Sequence, residues 1–146
     1  MGQSVATLAT ADVAGRLLLA FVLGALAGVE RQWHHKNAGL RTHTLVAVGA
    51  AAFTMVSSLG LGPTNNPMLI AAGVVTGIGF IGGGVIMHQG PTVQGINTAA
   101  TLWTTASMGL AAGAGYYALT AVVFVAILVV QFPLQWVEHW IDRRSE

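Results

Sequence analysis

Apolar residues run along this chain in five stretches, separated by short polar or glycine- and proline-bearing breaks. The pattern predicts helices over about Val13 to Glu30, His43 to Leu61, Met68 to His88, Asn97 to Ala112 and Tyr116 to Trp136. A short amphipathic segment over residues about 137–146 follows and is expected to lie at a membrane surface. At roughly 1.5 Å per residue, helices of these lengths cover much or all of a ~30 Å hydrocarbon core. The breaks GPTNNP (Gly62 to Pro67) and HQGPTVQG (His88 to Gly95) carry turn residues and no formal charge.

The third helix is dense in glycine, with six between Gly73 and Gly84. Each would cost roughly 1 kcal/mol relative to alanine in a water-exposed helix. In hydrocarbon, unsatisfied backbone groups are so expensive that the segment stays helical, and the missing side chains admit close neighbours. Gly73, Gly77 and Gly84 project within roughly 40° of one another, with Gly79, Gly82 and Gly83 on the opposite side. Two smooth faces predict a central helix packed on both. Ala20, Gly24 and Gly28 give the first helix a similar small-residue face.

Composition turns this pattern into a class. The chain of 146 residues is 54% hydrophobic and only 8% charged, against about 25% in soluble domains. Mean hydropathy is +0.69. No Asp, Glu, Lys or Arg occurs between Arg41 and Glu138, a gap far longer than one membrane crossing. The expected fold class is therefore an all-α, multi-pass membrane domain whose environment is the lipid bilayer. A net charge of +1 with no basic patch excludes nucleic acid as a partner, and the absence of cysteine excludes disulfides and thiolate metal sites. The N-terminus lacks the positive region of a cleavable signal and, with Ala6, the myristoylation pattern, so the first apolar run is expected to be retained.

Lys and Arg set the orientation. The first loop and its border hold Arg31, Lys36 and Arg41, and the tail holds Arg143 and Arg144. The breaks at Gly62–Pro67 and Gly113–Gly115 hold none, which predicts an outside N-terminus and a cytoplasmic C-terminus. Arg16, near the outer end, is expected to snorkel to head groups. Tyr116 and Tyr117 at one end, and Trp136 and Trp140 at the other, read as interfacial anchors.

Candidate chemistry is sparse. Glu30 is the only acid between Asp12 and Glu138, at a helix end where the macrodipole disfavours it. It calls for a partner, with Arg31 and a bidentate clamp from Arg41 in reach. Two readings stand side by side: a proton or cation site at the membrane mouth, or an ion pair fixing the first helix to the second. Asn97, Thr98, Thr101, Thr104 and Thr105 project within about 120° as a polar stripe. They would line a water or ion path, or bond to neighbouring helices and to their own carbonyls. Asn97 also suits a helix N-cap. His34, His35 and His43 have no supporting ligands and read as solvated loop histidines. One membrane-proximal acid cannot build a carboxylate cage for magnesium. GIGFIGGG lies in an apolar span without the context of a dinucleotide loop, and no nucleophile–base arrangement is present. No cofactor, metal site or enzymatic activity is expected.

Three stretches together go further: GALAGVERQW followed by AGLRTHTLVAVGAAAF, GIGFIGGGVIM, and QGINTAATLWTTASMGLAAGAG. Over roughly Leu18 to Gly115 the chain resembles the MgtC/SapB family of bacterial inner-membrane proteins. The resemblance implies about five transmembrane helices, links to growth in low magnesium, and survival of pathogens inside macrophages. It implies regulation of a partner membrane complex, with the proton-translocating ATP synthase or a P-type ATPase as targets, rather than magnesium transport. Glu30, Arg31, Arg41, Gly77, Gly82, Asn97, Thr98 and Trp103 fall on the family's signature positions. Long members carry a soluble C-terminal domain resembling an ACT fold, whereas the sequence here ends at Glu146. The turn after the third helix often holds charged residues in the family, and here holds His88, Gln89 and Gln94. The alternative to a regulator is a small transporter or channel for magnesium, protons or another cation, which with so few helices would need a homodimer. A lipid-binding or scaffolding element is a third reading.

Overall fold

The computed structural model describes residues 10–58 and 67–144. Its helices are α1 (Thr10–Trp33), α2 (Leu40–Ser58), α3 (Pro67–Val85), α4 (Ile96–Gly113), α5 (Tyr117–Gln131) and α6 (Pro133–Asp142). Of the described residues 83% are helical, and three helices are long and apolar enough to cross a membrane. The protein is an all-α membrane protein. The GPTNNP break before Pro67 and the expected end of the second helix beyond Ser58 lie outside the described residues.

Small residues decide which helices sit inside. Gly24 packs so tightly on α2 that an added Cβ would lie 2.8 Å from the Ala47 Cβ, and one on Gly28 would lie 2.7 Å from the Leu40 Cα. On the other side of α2, Cβ atoms on Gly109 and Gly113 would overlap the carbonyl oxygens of Ala47 and Ala51. The pairings run 24 to 47 and 28 to 40, then 47 to 109 and 51 to 113. Thus α1 is antiparallel to α2, and α2 is parallel to α4. Two alanine-rich clusters form the core: Ala20, Ala27, Ala47, Ala51, Met108, Ala112 and Ile127 in one, Ala38, Ala50, Ile78, Leu102 and Ala106 in the other.

The glycine-rich helix is not central. α3 lies on one side of the bundle, with Ile78 and Gly82 buried there and Gly82 in ordinary contact with Ala99. Added Cβ atoms on Gly73, Gly77, Gly79, Gly83 or Gly84 would meet nothing within 4 Å. The physical reason is solvent matching. The long apolar spans containing α1, α3 and α5 have mean hydropathies of 1.8, 2.0 and 2.3, and this chain leaves the large side chains of α3 and α5 facing outward. The less apolar α2 and α4 take the interior, where hydroxyls satisfy themselves: Thr44, Thr54, Thr101, Thr104 and Thr105 each donate to the carbonyl four residues back.

Several boundaries move, with α1 and α2 each starting three residues earlier than expected. α1 runs three residues past Glu30 and ends at Trp33, with His35 in the left-handed region at φ 51. Between α3 and α4 the expected plain turn is a two-stranded hairpin, β1 (Met87–Gln89) with β2 (Thr92–Gln94), paired Met87 to Gln94 and Gln89 to Thr92. Gly90 at φ +64 followed by Pro91 makes its two-residue corner, as a primed hairpin turn requires. The last long helix breaks at Phe132, because the ring of Pro133 removes a donor and opens a new helix instead.

Arg16 does not snorkel. It turns inward, 2.9 Å from Asp12 and donating to the Gly113 carbonyl at 2.9 Å, while Tyr117 donates to the same carboxylate at 3.4 Å. The ends of α1, α4 and α5 are tied there through the Arg16–Asp12 pair.

Gly109→Val is expected to lower stability by about 1–3 kcal/mol, through overpacking against the α2 backbone. Gly77→Ala is expected to be neutral or to stabilise by up to about 1 kcal/mol, because open space surrounds it and alanine is the better helix former. Thermal unfolding in detergent compares the two, and equal losses would contradict the asymmetric placement.

Candidate functional site

The close pairing of α1, α2 and α4 gathers polar groups at the end of the bundle that carries Arg31 and Lys36. Glu30 and Arg31 are buried at 3% and 4% exposure. The helical extension past Glu30 places His34 one turn on, with its Nδ1 2.9 Å from Glu30 Oε1 and 3.0 Å from the Glu30 carbonyl oxygen. Gln135 of α6 donates to the same Oε1 at 3.1 Å. Gln131, one turn earlier, donates to the Ala27 carbonyl at 3.0 Å. Two glutamines therefore fasten the α5–α6 corner to the last turns of α1.

Arg31 reaches the other way. Its Nη2 donates to Thr98 Oγ1 on α4 at 3.4 Å, and its Nη1 stays 3.9 Å from Glu30 Oε2. These are long contacts. Glu30 Oε2, Arg31 Nε and Gln131 Oε1 are buried without a hydrogen-bond partner. Buried polar atoms are paired in the great majority of cases, so three unpaired atoms around one ion pair mark an incomplete site.

A cleft of about 1580 Å³ opens over this cluster. Arg31, His34 and Lys36 line one side, Asn97, Thr98, Thr101 and Thr104 the α4 side, and mainly apolar residues of α5 and α6, with Gln131 and Gln135, the third. The polar stripe is split. Thr105 turns into the packed core, and Thr101 and Thr104 bond to their own backbone while still edging the cleft. Asn97 is exposed and does not cap α4. The N-cap is Gly95 at φ +93, where a Cβ would overlap the Val85 carbonyl oxygen. That approach needs glycine, and it places the cap two residues before the expected one.

Two further expectations are corrected. Arg41 does not clamp Glu30: it is exposed on the face of α2 that carries Leu45, while His43 and Ala47 face α1. His43 is no solvated loop residue. It is fully buried within α2, its Nδ1 donating to the Gly39 carbonyl at 3.0 Å and its Nε2 unpartnered. His34 is half exposed, with its Nδ1 2.9 Å from Glu30 Oε1, and it lies with His35 in the loop between α1 and α2. Among the described residues no group of three or more His, Cys, Asp and Glu is gathered.

His34, Gln131 and Gln135 were missed as site residues in the sequence. The signal for His34 was its spacing of four from Glu30, hidden by ending the first helix at Glu30. For the glutamines it was two amides four apart in an otherwise apolar run.

Residues 17–140 match the MgtC family. The chain belongs to that family. A protein named Protein MgtC from Brucella abortus is 52% identical over 125 residues, covering 86% of this chain and 52% of the relative. Protein MgtC of Salmonella typhimurium is 52% identical over 111 residues, covering 75% and 47%. An uncharacterized protein of Synechocystis sp. is 46% identical over 129 residues, covering 88% and 55%. This MgtC-family chain thus spans about half the length of the curated relatives it matches. No solved structure matches it.

Glu30→Ala is expected to lose about 3 kcal/mol, since it leaves the buried Arg31 without the carboxylate near it among the described residues. Arg41→Ala is expected to stay within about 0.5 kcal/mol of the parent, as for an exposed side chain with no ion pair among the described residues. Chemical unfolding in detergent separates the two, and a large loss for Arg41→Ala would restore the clamp.

Proposed function

We propose that this chain is a non-enzymatic protein of the bacterial cytoplasmic membrane that regulates a partner membrane complex by helix packing. The setting is the one its family resemblance implies: adaptation to low magnesium and survival inside host cells, with an ATP synthase or P-type ATPase as the class of partner. The observation that carries the reading is the bare face of α3, where Gly73, Gly77 and Gly84 have open space around them. In lipid, association between helices depends on backbones approaching at small residues, and a second membrane helix fits such a face. An outside N-terminus and cytoplasmic C-terminus, the orientation the charge pattern favours, put Glu30, Arg31 and Asn97 at the cytoplasmic end, beside the exposed hairpin.

A second reading, a cation transporter acting as a homodimer, is favoured by the cleft that joins Arg31 to the α4 hydroxyls. Affinity purification from native membranes with mass spectrometry tests the first. Gly73→Leu with Gly77→Leu is expected to leave helicity and melting temperature unchanged and to remove one specific partner, and Asn97→Ala to weaken its capture. Liposomes carrying the purified protein are expected to leak magnesium and protons no faster than empty ones. Autonomous flux that Glu30→Gln or Asn97→Ala stops would overturn regulation in favour of transport.

A further inference from the structure

The cleft over Arg31 has a chemistry that helix packing does not explain. Among its described lining residues, Arg31 and Lys36 carry permanent positive charge and no carboxylate is present. Arg31 is buried, yet its Nε has no partner and its two terminal nitrogens make only the long contacts to Thr98 and Glu30. A guanidinium brings five N–H donors, and burying it stays costly unless they are met. Glu30 cannot meet them, because Oε1 is already taken by His34 and Gln135 and Oε2 stands 3.9 Å away. The opposite wall is mainly apolar, with Ile127, Val130, Leu134, Val137 and Ile141 around the amides of Gln131 and Gln135. At about 1580 Å³ the space exceeds the ~300–1,000 Å³ of ordinary small-molecule sites.

The depth of the cleft is marked independently. Trp33 and Trp136 are 80% and 81% exposed at this same end, and the Arg144 guanidinium lies 3.8 Å above the ring of Trp140. Exposed tryptophans of a membrane protein sit at head-group level. A cationic donor at that depth, continuous with an apolar wall, has the polarity pattern of an amphiphile.

We propose that this cleft binds an anionic glycerophospholipid, its phosphate on Arg31 and Lys36 and an acyl chain along the apolar wall of α5 and α6. The bound phosphate supplies the acceptor that Arg31 lacks, and the lipid joins the hairpin end of α4 to the α5–α6 corner. The inference is independent of the partner reading, since capture of a membrane protein through α3 requires no lipid here.

Native mass spectrometry of the chain in mild detergent tests it, with phosphatidylglycerol, phosphatidylcholine or glycerol 3-phosphate added as the probe. Phosphatidylglycerol is expected to be retained in preference to phosphatidylcholine, and glycerol 3-phosphate not at all. Lys36→Gln is expected to weaken retention about fivefold, the effect of one surface cation on an anionic lipid. Arg31→Gln is expected to weaken it further. If Arg31→Gln loses its helical circular dichroism, Lys36→Gln, whose side chain is exposed, decides alone. Equal retention of the two lipids, or retention unchanged in Lys36→Gln, would mean annular lipid only and overturn the proposal. Retention of glycerol 3-phosphate as strong as that of the lipid would overturn it in favour of a soluble phosphate ester.

Discussion

The fold depends on the contact of α4 with α2, where Gly109 and Gly113 rest on the carbonyl oxygens of Ala47 and Ala51. In water, apolar side chains would drive such a pair together. In lipid that drive is absent, and attraction comes from close packing and weak polar contacts between backbones. Each of these requires that no side chain intervene. Gly24 and Gly28 do the same for α1 on the other side of α2. Three helices thus lock through their backbones, and α3 and α5 complete the bundle with their apolar surfaces outward.

The site follows from that lock. Helices brought to backbone contact leave no room for a solvated Glu30–Arg31 pair, so both side chains are buried and must find partners among what packing provides. Glu30 receives His34 from the residue just past the end of α1 and Gln135 from α6. Arg31 receives only Thr98, at long range. The asymmetry makes the cluster more than a strut: one carboxylate oxygen is served twice, the guanidinium makes only long contacts among the described residues, and Arg31 lines the cleft.

Family membership and architecture support each other without being the same statement. The match spans most of the helical bundle and the α5–α6 corner, and the packing glycines and the Glu30–Arg31 cluster lie within it. Relatives of which this chain spans about half share this membrane part.

Much was determined by the sequence alone. The uncharged span from Arg41 to Glu138 dictates a membrane protein, and the apolar stretches dictate helices near their observed places, because backbone groups in lipid must be satisfied within each helix. The isolation of Glu30 also marked it as a residue needing partners. Tertiary structure decided what those partners are and which glycines pack. Gly109 and Gly113 meet a neighbouring backbone, while Gly73, Gly77 and Gly84 meet open space. Local sequence cannot tell them apart, because the difference lies in the helix opposite. For the same reason His34 and Gln135, rather than Arg41, hold Glu30: one extra turn of α1 and a proline break at Phe132 aim them, and α2 turns Arg41 away.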